Sequence, residues 1–108
     1  MDLLRKRCVP CEGGMPPMKL ADAKRYLKQT GGWKLQGSKI IRRDLKFKDF
    51  SEAMKFVGKV AGLAEKEGHH PDIYVHSWNQ VRLTLSTHAI KGLSENDFIL
   101  AAKINRLI

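Results

Sequence analysis

Three of the four histidines in this chain stand where a folded scaffold would present them. His69 and His70 follow directly on a helix-like stretch that stops at Gly68, and His88 closes a strand-like run. Residues at element ends sit on exposed backbone held by rigid neighbours, where binding and catalytic groups concentrate. Imidazole, with an ordinary pKa of about 6.5, gives and takes protons near neutrality. Glu65 and Asp97 are the carboxylates available to support it. Two chemistries suit such a set. Three imidazoles and a carboxylate could hold zinc. The same groups without metal could act as general acids and bases, worth roughly 10²–10⁴-fold per well-placed group. Spacing does not choose between them, and either requires the imidazoles to converge on one pocket.

Each of these residues also has a plainer reading. A His-His pair after a helix is commonly a surface or cap feature. Glu65 reads equally as a surface glutamate, and the spacing of Asp97 from Ser94 accounts for it as a helix cap. His76, on the first strand of a hairpin, has no evident partner and is expected to face solvent.

The elements that must hold the histidines follow from hydrophobic periodicity. Leu20, Ala23 and Leu27 recur at helical spacing over residues 19–29, ended by Gly31 and Gly32. Trp33 and Leu35 open a strand, Gln36-Gly37-Ser38-Lys39 has turn chemistry, and Ile41, Leu45 and Phe47 alternate with polar residues. Arg43 breaks that alternation and is expected near an edge. Asp49 and Glu52 form a capping-box pattern before a stripe of Phe50, Ala53, Met54, Val57, Val60, Ala61 and Ala64. Glu65 and Glu67 then lie in the last turn, where the helix dipole disfavours anions; rules broken locally tend to mark functional sites. Pro71 pushes His70 into an extended conformation, so His69 and His70 should point in different directions.

A second hairpin turns around Trp78, Asn79 and Gln80. In its latter strand Val81, Leu83 and Leu85 face one side while Arg82, Thr84 and Ser86 face the other, with His88 in phase with the polar set. Ser94 caps a last helix whose Phe98, Ile99, Leu100, Ala101, Ala102, Ile104, Leu107 and Ile108 are apolar on too many sides for one small sheet. Surplus apolar surface usually marks an interface, so a homo-oligomer is expected, dimer or tetramer, joined through the last helix and a sheet edge. The order α-β-β-α-β-β-α predicts an α+β fold: an antiparallel four-stranded sheet with three helices on one face. Residues 1–18 are read as an irregular arm and 19–108 as a single domain.

A chain of 108 residues fits one domain with a modest core. No apolar run reaches the roughly 20 residues that span a bilayer, and the start lacks a secretory signal's apolar segment. Cytosol is expected, with access to the nucleus left open. A net charge of +9 raises an acidic partner such as nucleic acid. The lysines are dispersed, however, and aromatics are not interleaved with them as stacking platforms require. A solvated surface is the better account, and neither nucleic acid nor membrane is expected as a partner. Cys8 and Cys11 make a lone C-x-x-C with no second pair to complete a zinc site. Prolines and glycines surround it where a redox motif wants a strand and a helix, so both are read as reduced thiols.

Taken together, His69-His70-Pro71, Trp78-Asn79-Gln80-Val81, Leu85-Ser86-Thr87-His88 and Gly92-Leu93-Ser94-Glu95-Asn96-Asp97 resemble pterin-4a-carbinolamine dehydratases. Lys48-Asp49-Phe50 and Gly32-Trp33 also look like their counterparts, so the similarity runs from about residue 19 onward. The resemblance implies dehydration of a 4a-hydroxytetrahydropterin to quinonoid dihydropterin, in tetrahydrobiopterin recycling, without metal or cofactor and in a homo-oligomer. It carries the family's histidines onto His69, His70 and His88 and its supporting acids onto Glu65 and Asp97. Pro71, Ser86 and Thr87 become candidate contacts to the pterin ring. A similar vertebrate protein doubles as a dimerisation cofactor for a homeodomain transcription factor, the alternative role the resemblance brings. Asn96 stands where the family has arginine, Ile73 where animal members often have an aromatic, and one extra residue lies between Pro71 and Val81.

Overall fold

The alternation around Val81, Leu83 and Leu85 builds the centre of the sheet. In the computed structural model, which describes residues 2–10 and 15–108, these three side chains are buried while Arg82 and Thr84 between them are not. The elements are α1 (Leu20–Thr30), β1 (Lys34–Gln36), β2 (Ile40–Lys46), α2 (Phe50–Glu67), β3 (Asp72–His76), β4 (Gln80–Leu85) and α3 (Glu95–Asn105). Short 3₁₀ turns cover Leu3–Arg5 and His88–Ile90. The four strands pair antiparallel in the order β1-β2-β4-β3, and the helices cover one face, as the pattern predicts. No helix among the described residues is long and apolar enough to cross a membrane.

Register explains Arg43. Strand β2 is interior, but the last β1 pair is Lys34 with Arg42, so Arg43 lies just past the end of β1. Its guanidinium donates to Asn105 Oδ1 at 2.9 Å, at the far end of α3.

Helix α2 starts where Asp49 caps it, the carboxylate accepting from the Glu52 amide at 2.8 Å. Its buried face is Ala53, Phe56, Val60 and Ala64. The stripe read from sequence is therefore corrected: Phe50 and Met54 are exposed, and so is Ala61. The helix carries apolar residues on two sides, and Phe56 decides between them by packing its ring 5.0 Å from that of Phe47.

Helix α3 corrects a larger expectation. Phe98, Ile99, Leu100, Ala101 and Ile104 are all buried within the one chain. Helices α1 and α2 and the N-terminal 3₁₀ turn pack around it, and the Tyr26 and Phe98 rings lie 5.2 Å apart. The apolar excess is thus that of a central helix, so Leu100 and Ile104 offer nothing to a second subunit. The N-terminal arm contributes to the same core, because Leu3 is buried in it.

Candidate active site

Gly68 ends α2 in the left-handed conformation (φ 68°), which side chains with a Cβ adopt reluctantly, and releases the chain into His69-His70-Pro71. The two imidazoles then part, as the extended backbone before Pro71 requires. His69 turns inward: only 12% of its side chain is exposed, and Nε2 lies 2.6 Å from Oδ1 of the fully buried Asp97. His70 turns outward and pairs its Nε2 with Glu65 Oε2 at 2.5 Å, both groups being exposed.

Asp97 is the third residue of α3, and its other oxygen is equally occupied. Oδ2 accepts from the Ser94 backbone N–H at 3.0 Å and from the Thr87 hydroxyl at 2.8 Å. Two donors on one oxygen make the carboxylate an acceptor, so the hydrogen shared with His69 is carried on the ring's Nε2. Nδ1 is then the atom through which His69 can exchange protons. The capping box read from Ser94 and Asp97 is present, and it coexists with the histidine contact.

Strand β4 stops at Leu85. Ser86 and Thr87 follow, and Thr87 pairs with Gly92 across a short bridge that encloses the turn bearing His88, which is exposed. Gly92 is needed there, because a Cβ would come within 2.6 Å of Pro17. A cavity of about 270 Å³ opens between this turn and the end of α2, lined by His69, His70, His88, Ser86 and Thr87. Ligand clefts run roughly 300–1,000 Å³, so this one is of a size for a small ligand.

The candidate residues thus divide. The three histidines, Ser86 and Thr87 border the cleft; Asp97 and Glu65 stand behind two of the imidazoles; Pro71 is not among the lining residues and acts on the direction of His70. Thr87 also spends its hydroxyl on Asp97 and on Ser94 Oγ at 2.8 Å. His76 lies apart from the cleft. Contrary to the sequence reading it is partnered, stacked on Tyr74 with ring centroids 4.8 Å apart and its Nδ1 3.2 Å from Ser77 Oγ.

Both glutamates that defy the dipole of α2 have partners from beyond the helix. Glu65 has His70. Glu67 accepts from Lys103 Nζ at 2.8 Å and from the Cys8 amide at 3.0 Å. Burial pushes the Glu67 carboxyl up, but the bonds from Lys103 and Cys8, with the charges of Lys103 and Arg7, together outweigh it and hold the group below the usual carboxylate range. Burial, reinforced by the Glu67 charge, pushes the Cys8 thiol up to about 12. A thiol held protonated at neutral pH is neither a nucleophile nor a ready metal ligand. Cys11 lies outside the described residues. Among the described residues no group of three His, Cys, Asp or Glu side chains is placed to hold a metal ion.

Sequence reasoning missed the arm's part in this site and read Asn96 only as a replacement for the family's arginine. Val9 and Pro10 of the arm close one side of the cleft, and Asn96 borders it. Nothing in residues 1–10 signals this, since an arm without periodicity has no predictable path.

A buried histidine–aspartate pair, an exposed histidine–glutamate pair and a third histidine thus surround one cleft, and the whole chain is similar to known proteins. The family profile for pterin 4 alpha carbinolamine dehydratase matches residues 16–107. A relative in Rubrobacter xylanophilus named for that enzyme is 44% identical over 106 residues, covering 98% of each chain. Another in Aromatoleum aromaticum is 49% identical over 107 residues, covering 98% of this chain and 95% of its own. Among solved structures, a transcriptional coactivator/pterin dehydratase from Brucella melitensis superposes with a TM-score of 0.78 at 36% identity. That match covers 84% of this chain and 97% of the other. Profile, relatives and superposition agree: this chain belongs to the pterin-4a-carbinolamine dehydratase family.

Proposed function

We propose that this chain is a hydro-lyase that dehydrates a 4a-hydroxytetrahydropterin to the quinonoid dihydropterin, using histidines as acid and base and no metal or cofactor. In this reaction the C4a–O bond breaks and the hydroxyl leaves as water after gaining a proton. The electrons of the N5–H bond become the C4a=N5 double bond as N5 gives up its proton. One acid and one base suffice, and imidazoles do both near neutrality. His69, whose Nε2 hydrogen is committed to Asp97, takes the N5 proton at Nδ1. His88 protonates the departing hydroxyl. His70, braced by Glu65, positions the ring, with Ser86 against its edge. Asp97 and Glu65 are positioning residues.

The observation that carries this reading is the meeting of His69, His70 and His88, from two separate segments, around one cleft backed by two carboxylates. Reduction of the product restores a tetrahydropterin, so the reaction belongs to the recycling of tetrahydrobiopterin. The working unit is a homo-oligomer joined through the edge of β3, where Ile73 and Tyr74 are exposed and an unpaired strand edge invites another strand.

The test is a carbinolamine dehydration assay on metal-free protein. His69→Ala and His88→Ala should each cut the catalysed rate at least about tenfold while the circular dichroism is kept. Full activity in the double variant, or activity that appears only when zinc is added back, would overturn the reading.

A further inference from the structure

Residues 2–10 make contacts that an irregular tail has no reason to make. Leu3 is anchored in the core, and Lys6 Nζ donates to Glu95 Oε2 at 2.9 Å. The Cys8 amide donates to Glu67 Oε1 at 3.0 Å. Val9 is then gripped from both sides by one buried side chain. Its N–H donates to Asn96 Oδ1 at 3.0 Å, and its C=O accepts from Asn96 Nδ2 at 2.6 Å. Both anchors belong to the catalytic frame: Glu67 lies two residues before His69, and Asn96 adjoins Asp97. The arm is therefore registered to the two elements that set the position of His69.

What that grip delivers is apolar surface at the cleft. Val9 and Pro10 line it beside the histidines, yet Val9 is 64% exposed. A flat heterocycle entering the cleft would cover that exposed side chain.

We infer that the N-terminal arm is a preformed wall of the substrate cleft, that Val9 and Pro10 pack on the bound pterin ring, and that Asn96 is the positioning residue holding them there. This rests on the dehydratase reading and deepens it, assigning part of the ring recognition to a segment outside the α+β frame. A wall that touches the ring equally before and during the reaction contributes uniform binding, which appears in KM and leaves kcat alone.

Two full-length variants test it. Val9→Gly removes the side chain and keeps the backbone groups that Asn96 holds; Asn96→Ala releases the arm. Each should raise KM for the carbinolamine about fivefold to tenfold, the worth of covering one valine, with kcat within about twofold of the parent. Each should weaken binding of 7,8-dihydrobiopterin, a stable pterin probe, by a similar factor. If Asn96→Ala fails to fold, Val9→Gly decides. Unchanged KM and probe affinity in Val9→Gly, or a fall in kcat with KM fixed in Asn96→Ala, would overturn the inference. Absence of turnover by the parent would instead overturn the dehydratase reading itself.

Discussion

Replacing Asp97 by asparagine keeps the shape of the side chain and reverses one hydrogen bond, which makes it the most discriminating change at this site. The carboxylate accepts at both oxygens, from His69 Nε2 on one side and from Ser94 N–H and Thr87 Oγ1 on the other. An amide can accept on one side only. The Ser94 N–H cannot turn round, so the amide oxygen stays with it and the NH₂ group faces His69. Nε2 must then offer a lone pair, and its hydrogen moves to Nδ1, the atom assigned to take the N5 proton. Loss of a placed general base is worth roughly 10²–10⁴ in kcat, or about 3–5 kcal/mol at about 1.4 kcal/mol per tenfold. A comparable Asp→Asn change in the serine-protease triad costs about 10⁴ through the wrong tautomer. The fold should survive. One bond to a charged acceptor is weakened, for roughly 1–2 kcal/mol, and the favourable charge near the start of α3 is lost, for about 0.3–1 kcal/mol. Initial rates of carbinolamine dehydration, corrected for the spontaneous reaction, measure the first effect and thermal unfolding the second. A variant with kcat within twofold of the parent, or ¹⁵N spectra keeping the His69 hydrogen on Nε2, would refute the tautomer argument.

Two further outcomes follow from the packing. Leu100→Asp places an unpaired charge at a fully buried position of α3, which should abolish folding; recovery of a folded, smaller species by sedimentation and circular dichroism would contradict the burial of that helix. Glu67 is held below its ordinary carboxylate range in the folded chain. Its contribution to stability is therefore complete above about pH 4.5, the unfolded value, and is lost as pH falls through the lower folded value. The thermal midpoint of the parent should drop as pH falls below about 4.5, and that of Glu67→Gln should start lower and drop less. Parallel curves would remove Glu67 from the account.

The frame and the histidines were legible because each rests on local chemistry. Gly68 stops α2, Pro71 forces the chain extended, Asp49 and Ser94 cap their helices, and alternation fixes the faces of β4. What stayed hidden depended on the partner of a surface. The apolar circumference of α3 is the same whether the chain's own helices or a second subunit cover it. The two apolar sides of α2 are resolved only by the Phe47 ring across from Phe56. Asn96 read only as standing where the family has arginine. Its actual partner, the backbone of Val9, lies 87 residues away in sequence.

The placement of His69 shows how folding and chemistry share one residue. Asp97 sits at the third position of α3 because a capping box needs an acceptor there, and its Oδ2 meets that need through Ser94 N–H. Once that oxygen is fixed, the planar carboxylate has one remaining direction for Oδ1, and along it lies His69 Nε2. Thr87 ties the same carboxylate to the segment that carries His88. The bond that starts the helix therefore also selects the tautomer of one histidine and links it to the segment bearing the other. A cap built from Ser94 and a glutamine in place of Asp97 would start the helix as well. It would give His69 an amide with a different reach, so the choice of aspartate is explained by the imidazole and by helix capping together.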